Sequence, residues 1–165
     1  MILSIDVGMH NLAFCRVHRQ TNQGRIHVVS WDCISVGGTC ASITSALDEV
    51  TDLVDDVTLI LIEKQMNVNP KMVSISAMIS MYLHMRCLSN FCSCDIVHVP
   101  AWQRTQKRKK SRADPDRADY RQRKAQSVAH ATELVQGTKW HEFLHSFKKK
   151  DDLADCLCQA KLYVS

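Results

Sequence analysis

No run of apolar residues in this 165-residue chain approaches the roughly 20 needed to cross a bilayer, so no membrane partner is expected. The N-terminus, MILSIDVG, has neither a cationic lead-in nor a small-residue cleavage site. It is expected to be a buried first strand rather than a targeting peptide, and the protein to work inside the cell, in the compartment where it is made. Internal repeats are also lacking, and residues 1–165 are expected to form a single domain. The remaining composition, 45% hydrophobic and 23% charged, is that of a soluble globular protein long enough to bury a core.

Cysteine is not scarce. The eight (Cys15, Cys33, Cys40, Cys87, Cys92, Cys94, Cys156, Cys158) could form a disulfide framework or a set of reduced thiols. The chain is not short, carries no secretion signal and sets most of its cysteines in apolar stretches. Small buried thiols in a reducing compartment are therefore expected.

The net charge of +4 is unevenly spread. Residues 104–124 hold ten Lys and Arg against three Asp, a local balance of +7 that leaves the rest of the chain at −3. A focused positive segment on a mildly acidic body points to a polyanion held at one place. The plainer alternative is a solvated loop without a partner. With Pro115 inside it and few apolar anchors, the segment about 101–120 is expected to be mobile until a ligand binds.

Residues 2–7 (ILSIDV), the stretch to about 18 and residues 26–35 predict an antiparallel meander, with Asn22-Gln23-Gly24 as a turn signal. Helical spacing runs through 40–55, at Ile43, Ala46, Leu47, Val50 and Val54. VTLILIE (57–63) is an unbroken run of β-branched residues and leucine before its terminal acid, the pattern of a strand covered on both faces. A helix is predicted from Pro70 over 71–88, a strand over 95–100, and helices over 121–135 and 149–164. The fold class is α/β: a mixed five-stranded sheet flanked by helices.

Hydrolysis of a phosphodiester is served by metal ions, and Mg²⁺ takes hard oxygen ligands, so several carboxylates must converge. Asp6 ends a buried strand beside Gly8, and Glu63 ends the second strongly apolar strand. If these strands are neighbours, both acids emerge at one edge of the sheet. Asp152 and Asp155, at i and i+3 in the last helix, share a face, while Leu153, Leu157 and Ala160 would bury the adjoining one. Asp151 is one residue out of register and suits a supporting or helix N-terminal role. Each acid alone also reads as an ordinary turn or helix-start residue; together with the basic stretch they suggest a metal-dependent nuclease.

Four motifs carry a resemblance, in order along nearly the whole chain. Asp6-Val7-Gly8 with Asn11 resembles the DxGxxN opening of poxvirus and fungal mitochondrial resolvases. Glu63-Lys64-Gln65 is similar to their ExQ strand end. Tyr120-Arg121-Gln122-Arg123-Lys124 with Ser127-Val128 resembles a poxviral YRxRKxxSV segment, and Lys149-Lys150-Asp151-Asp152-Leu153-Ala154-Asp155 a KxDDxAD helix. The chain thus resembles Holliday-junction resolvases of the RuvC and poxvirus type, and a large DNA virus or phage is the expected source.

The resemblance implies a ribonuclease H-like fold and a homodimer that cuts four-way and other branched DNA at two Mg²⁺ ions per site, with Mn²⁺ as a substitute. It implies Asp6, Glu63, Asp152 and Asp155 as metal-binding acids and Lys124 as a catalytic lysine near the scissile phosphate. Lys107, Arg108, Lys109, Lys110, Arg121 and Arg123 are the expected DNA contacts, although the stretch between Pro100 and Tyr120 looks longer than in the poxviral proteins. The helix after Glu63 would be a dimer helix, its Met72, Ile75, Met78 and Ile79 suiting a partner surface or the core equally. A viral protein of this kind would act where viral DNA is replicated. The alternatives are a ribonuclease H or other nuclease of the superfamily, and a non-catalytic DNA-binding protein.

Other motifs compete less well. His141-Glu142-Phe143-Leu144-His145 matches the zinc-protease pattern HExxH, but no Glu follows Glu142 and no His or Gly follows His145, so the usual third ligands are missing. Cys92-Ser93-Cys94 and Cys156-Leu157-Cys158 could pair around zinc, a weak pattern beside structural thiols. Trp102 could stack on an exposed base or serve as a core or hinge residue.

Overall fold

The computed structural model describes residues 1–19, 26–50, 52–90, 93–100 and 117–164. The turn at Asn22-Gln23-Gly24, Cys92, Trp102 and the basic residues Lys107, Arg108, Lys109 and Lys110 lie outside them. Along the chain come β1 (Ile2–Val7), β2 (Asn11–Arg19), β3 (Ile26–Ser35), α1 (Cys40–Asp48), β4 (Leu59–Lys64), α2 (Pro70–Ser89), β5 (Asp95–Pro100), α3 (Arg117–Leu134), α4 (Lys139–Ser146) and α5 (Asp151–Val164). Among the described residues no helix is long and apolar enough to cross a membrane.

The strands form the expected mixed sheet in the order β3-β2-β1-β4-β5. β1, β2 and β3 run antiparallel as a meander; β4 lies parallel to β1, and β5 parallel to β4. The two apolar runs of the sequence are therefore neighbours at the centre. Side chains alternate along each strand, so each face of the sheet needs its own cover. Leu3, Ile5 and Val7 of β1, with Leu12, Phe14, Ile60 and Ile62, meet Ile43 and Leu47 of α1 and Ile75, Ile79 and Leu83 of α2. On the opposite face Ala13, Cys15, Val17, Val28 and Trp31 meet Ala131 of α3, Leu144 of α4 and Leu153, Cys156, Leu157 and Ala160 of α5. Trp31 also donates its indole N–H to the Leu153 carbonyl at 3.1 Å, tying β3 to the first turn of α5.

Several elements differ from the sequence expectation. The helix predicted over 40–55 ends at Asp48, and Leu53, Val54 and Val57 are buried by turns instead. The buried Arg16 guanidinium holds those turns, donating to the Asp52 carboxylate and, at 2.9 Å, to the Asp55 carbonyl. α3 begins at Arg117, four residues before the predicted start, and α4 is an additional helix. In α2, Ile75 and Ile79 belong to the core, with Met72 and Met78 packed against it. The apolar side chains that α2 turns outward are Val73, Met81, Met85 and Leu88. Cys87 and Cys94, expected as thiols, form a disulfide: the end of α2 and the start of β5 bring their Cα atoms to 6.6 Å, within bonding reach. Cys15, Cys156 and Cys158 are buried thiols, as expected, whereas the Cys33 thiol is half-buried and the Cys40 thiol exposed.

Candidate active site

The register of the central strands decides where the acids go. Cα pairing of β1 with β4 runs from Ile2 opposite Leu59 to Ile5 opposite Ile62. One step further, Asp6 stands level with Glu63. Because Leu3, Ile5 and Val7 fill the α1/α2 side, alternation sends Ser4 and Asp6 to the other face, and Leu61 and Glu63 follow in register. That face carries α5, whose first turn starts at Asp151. Both carboxylates thus leave the C-terminal ends of parallel strands toward the start of a helix, the usual place for a site in an α/β sheet.

A cavity of about 520 Å³ opens there. Its walls include Asp6 and Glu63 from the sheet, Asp152 and Asp155 from α5, Arg123, Lys124 and Ser127 from α3, Lys149, and the turn from Gly8 to Asn11. Asp6 is 9% exposed. Gly8 is required by the turn: its N–H donates to the Asn11 carbonyl at 2.9 Å, and a Cβ would stand 2.6 Å from that oxygen. All four sequence-predicted acids and Lys124 therefore share one cavity. Arg123 lines it too, whereas Arg121 is exposed on α3 outside it. A larger groove of about 870 Å³ between α2 and β5 holds none of these acids.

Cationic side chains stand among the carboxylates. Lys149 donates to Asp152 at 2.7 Å, and Lys124 is ion-paired with Asp151. The hydrogen bond to Asp152 raises the Lys149 ammonium above its ordinary value, against a smaller opposing effect of burial, so it stays charged. Burial would raise Asp151, but the hydrogen bond and charge of Lys124, its own backbone N–H and Lys149 outweigh it and hold the carboxyl below its usual range. Asp151 is thus the anchor of Lys124 rather than a wall of the cavity. Sequence reasoning gave Lys149 no role; its place three residues before Asp152, one helical turn away, was the available signal.

Among the described residues no three His, Cys, Asp or Glu side chains are gathered tightly enough to hold a metal ion. The four acids line the cavity together without closing on one point. Their chemistry still fits a hard divalent cation, because the donors are all carboxylate oxygens.

Among the described residues the competing motifs gather no cluster able to hold a metal ion. The rings of His141 and His145 lie tilted against each other on α4, 4.8 Å between centroids, and the Lys150 ammonium lies 3.0 Å from His145 Nδ1. Cys94 is held in the disulfide. Burial, then the negative charge of Asp152, pushes Cys33 up to about 11, and burial raises Cys156 well above its ordinary value. These surroundings favour the neutral thiol, which suits structural cysteines.

The family model for the Poxvirus A22 protein matches residues 1–165. No match is found among curated protein sequences. The fold is similar to that of the fowlpox virus Holliday junction resolvase, with a TM-score of 0.65 at 16% identity, covering 99% of this chain and 97% of that one. It is similar to Ydc2, the yeast mitochondrial Holliday junction resolvase, with a TM-score of 0.58 at 13% identity, covering 99% and 78%. Thermus thermophilus RuvC gives 0.59 at 10% identity, covering 98% and 94%. The ribonuclease H-like fold expected from the motifs is therefore the fold observed.

Proposed function

Since the chain belongs to the poxvirus A22 protein family, we propose that it is a structure-selective endonuclease that resolves four-way DNA junctions by divalent-metal-dependent hydrolysis. Solved relatives of its fold are named as Holliday junction resolvases, one in complex with its junction substrate. The observation that carries this reading is the shared cavity: carboxylates from two adjacent parallel strands and one helix, with a lysine and an arginine on the same wall. Residues 1–165 would act as one such unit where viral DNA is replicated.

Asp6, Glu63, Asp152 and Asp155 would hold two Mg²⁺ ions, with Mn²⁺ a substitute. When bound, such ions activate a water and stabilise the leaving oxygen. The residues of the chain do the rest. Lys124, steered by Asp151, offsets negative charge on the phosphoryl group, and Lys149 keeps Asp152 in place beside it. Arg121 and Arg123 on α3 would grip phosphates flanking the cut, with Lys107, Arg108, Lys109 and Lys110 extending the grip along the arms.

The test is cleavage of a four-way junction, a plain duplex and an RNA–DNA hybrid, each with Mg²⁺ and with EDTA. Cutting confined to the junction with Mg²⁺ is expected. Preference for the hybrid would make the protein a ribonuclease H, and binding without cleavage a structural DNA-binding protein.

A junction has two strands to cut, so a two-fold dimer is proposed, meeting through α2. Met81 is 62% and Met85 54% exposed on the outer face of that helix, next to the groove against β5. A second copy laid along this stripe would cover apolar surface that water otherwise meets. The double substitution Met81→Asp with Met85→Asp is expected to halve the mass seen by sedimentation and to abolish paired incisions, with the melting temperature of the monomer preserved. An unchanged dimer would move the interface elsewhere.

A further inference from the structure

Gln159 is a polar side chain on the apolar side of α5 and is completely buried. Its Nε2 donates to Ser4 Oγ at 3.1 Å and to the Ile5 carbonyl at 3.4 Å. Its Oε1 has no partner among the described residues. A stranded acceptor in the core is unfavourable, and methionine would fill the same space without one. Packing alone therefore does not ask for glutamine here. What glutamine adds is a directional hold on one point of β1.

That hold matters because of two step lengths. Ser4 and Asp6 are two residues apart on one face of β1, while Asp152, Asp155 and Gln159, at i, i+3 and i+7, share a stripe of α5. Two residues of strand advance about 6.6 Å and four residues of helix about 6 Å, nearly the same distance. Pinning Gln159 to Ser4 therefore brings Asp155 level with Asp6, one step outward, where both line the cavity. A slip of α5 along β1 would separate them.

We infer that Gln159, acting through Ser4, is a positioning residue that sets the register of α5 on β1 and so the spacing of the carboxylates offered to a divalent cation. The inference rests on the metal-nuclease reading above. Neither Ser4 nor Gln159 lines the cavity; they act through Asp6 and Asp155.

The test measures the cation directly. Wild-type protein, Gln159→Met and Ser4→Ala are compared, without DNA, for the rise in melting temperature on titration with Mg²⁺ and Mn²⁺. The same proteins are assayed for the Mg²⁺ concentration giving half-maximal cleavage and for junction affinity in EDTA. Each variant is expected to need about 10-fold more cation in both titrations, as for other residues that orient metal ligands, with junction affinity unchanged. The double variant should shift no further than Gln159→Met alone, because the one contact that Ser4→Ala removes is among the two that Gln159→Met removes. Ser4→Ala deletes a single oxygen and supplies a folded variant if Gln159→Met is unstable. A melting temperature that drops while both cation titrations stay at wild-type values overturns the inference, as do simply additive shifts. A wild-type protein that neither cuts nor responds to Mg²⁺ brings down the nuclease reading with it, which separates the two failures.

Discussion

Substituting Asn for Asp6 is expected to slow junction cleavage by at least about 1,000-fold, because a carboxylate contact to a catalytic metal is worth several kcal/mol and each 1.4 kcal/mol is a factor of ten. The side chains are isosteric, and Asp6 is the next-to-last residue of β1, where the apolar positions Ile5 and Val7 do the packing. The melting temperature should therefore move little, which distinguishes a lost ligand from a damaged fold. Junction binding in EDTA should persist or tighten, since one negative charge facing the phosphodiester has gone. Asp155→Asn should behave alike. Asp56→Asn is the control: it lies in the turn before β4, beside Met1 at the far end of the sheet, with a left-handed backbone that Asn accepts as readily as Asp. Single-turnover kinetics on these three proteins, with gel-shift affinities, read the result. Wild-type cleavage by a clean Asp6→Asn preparation would refute the assignment of the acids.

Why these acids could be named from sequence is itself physical. VTLILIE carries almost no alternation because both faces of its strand are covered, while ILSIDV sets Leu3, Ile5 and Val7 on one face and Ser4 and Asp6 on the other; strongly apolar strands of this kind pack side by side at the centre of a sheet. Once they are neighbours, acids at their C-terminal ends must share an edge. The i, i+3 spacing on α5 then needs only one buried face to aim it. α4 has its own signal, with Trp140, Phe143, Leu144 and Phe147 at i, i+3, i+4 and i+7, yet the two histidines between them invite a reading as ligands. The early start of α3 had no apolar signal. Among the described side chains only Ala131, in its last turn, and Val135, just beyond it, are buried, and a helix anchored there propagates backward through Arg, Gln, Lys and Ala, all good helix formers. The Cys87–Cys94 disulfide and the outward stripe of α2 depend on how turns and faces are disposed in space. Spacing along a chain does not encode that.

Lys124 makes two contributions that substitution can separate. Its ion pair with Asp151 ties α3 to the first residue of α5, while its ammonium stands on the wall of the cavity with the four acids. If charge at the phosphoryl group is what matters, Lys124→Met should lower the cleavage rate by about 100-fold or more, the size expected for losing one preorganised donor to a transition-state oxyanion. Junction affinity should fall little, because the ammonium is one cation among many, and the salt slope of binding should drop by about one. Asp151→Asn keeps the ammonium but loses its carboxylate anchor, so it should cost far less in rate while lowering the melting temperature by a similar amount. Lys124→Arg should recover part of the rate, since the charge returns in a bulkier form. The three proteins thus predict an ordering in single-turnover rate, Met well below Arg and both below Asp151→Asn, that stability alone cannot produce. Equal losses from Lys124→Met and Asp151→Asn, tracking their melting temperatures, would reduce the lysine to a strut between two helices.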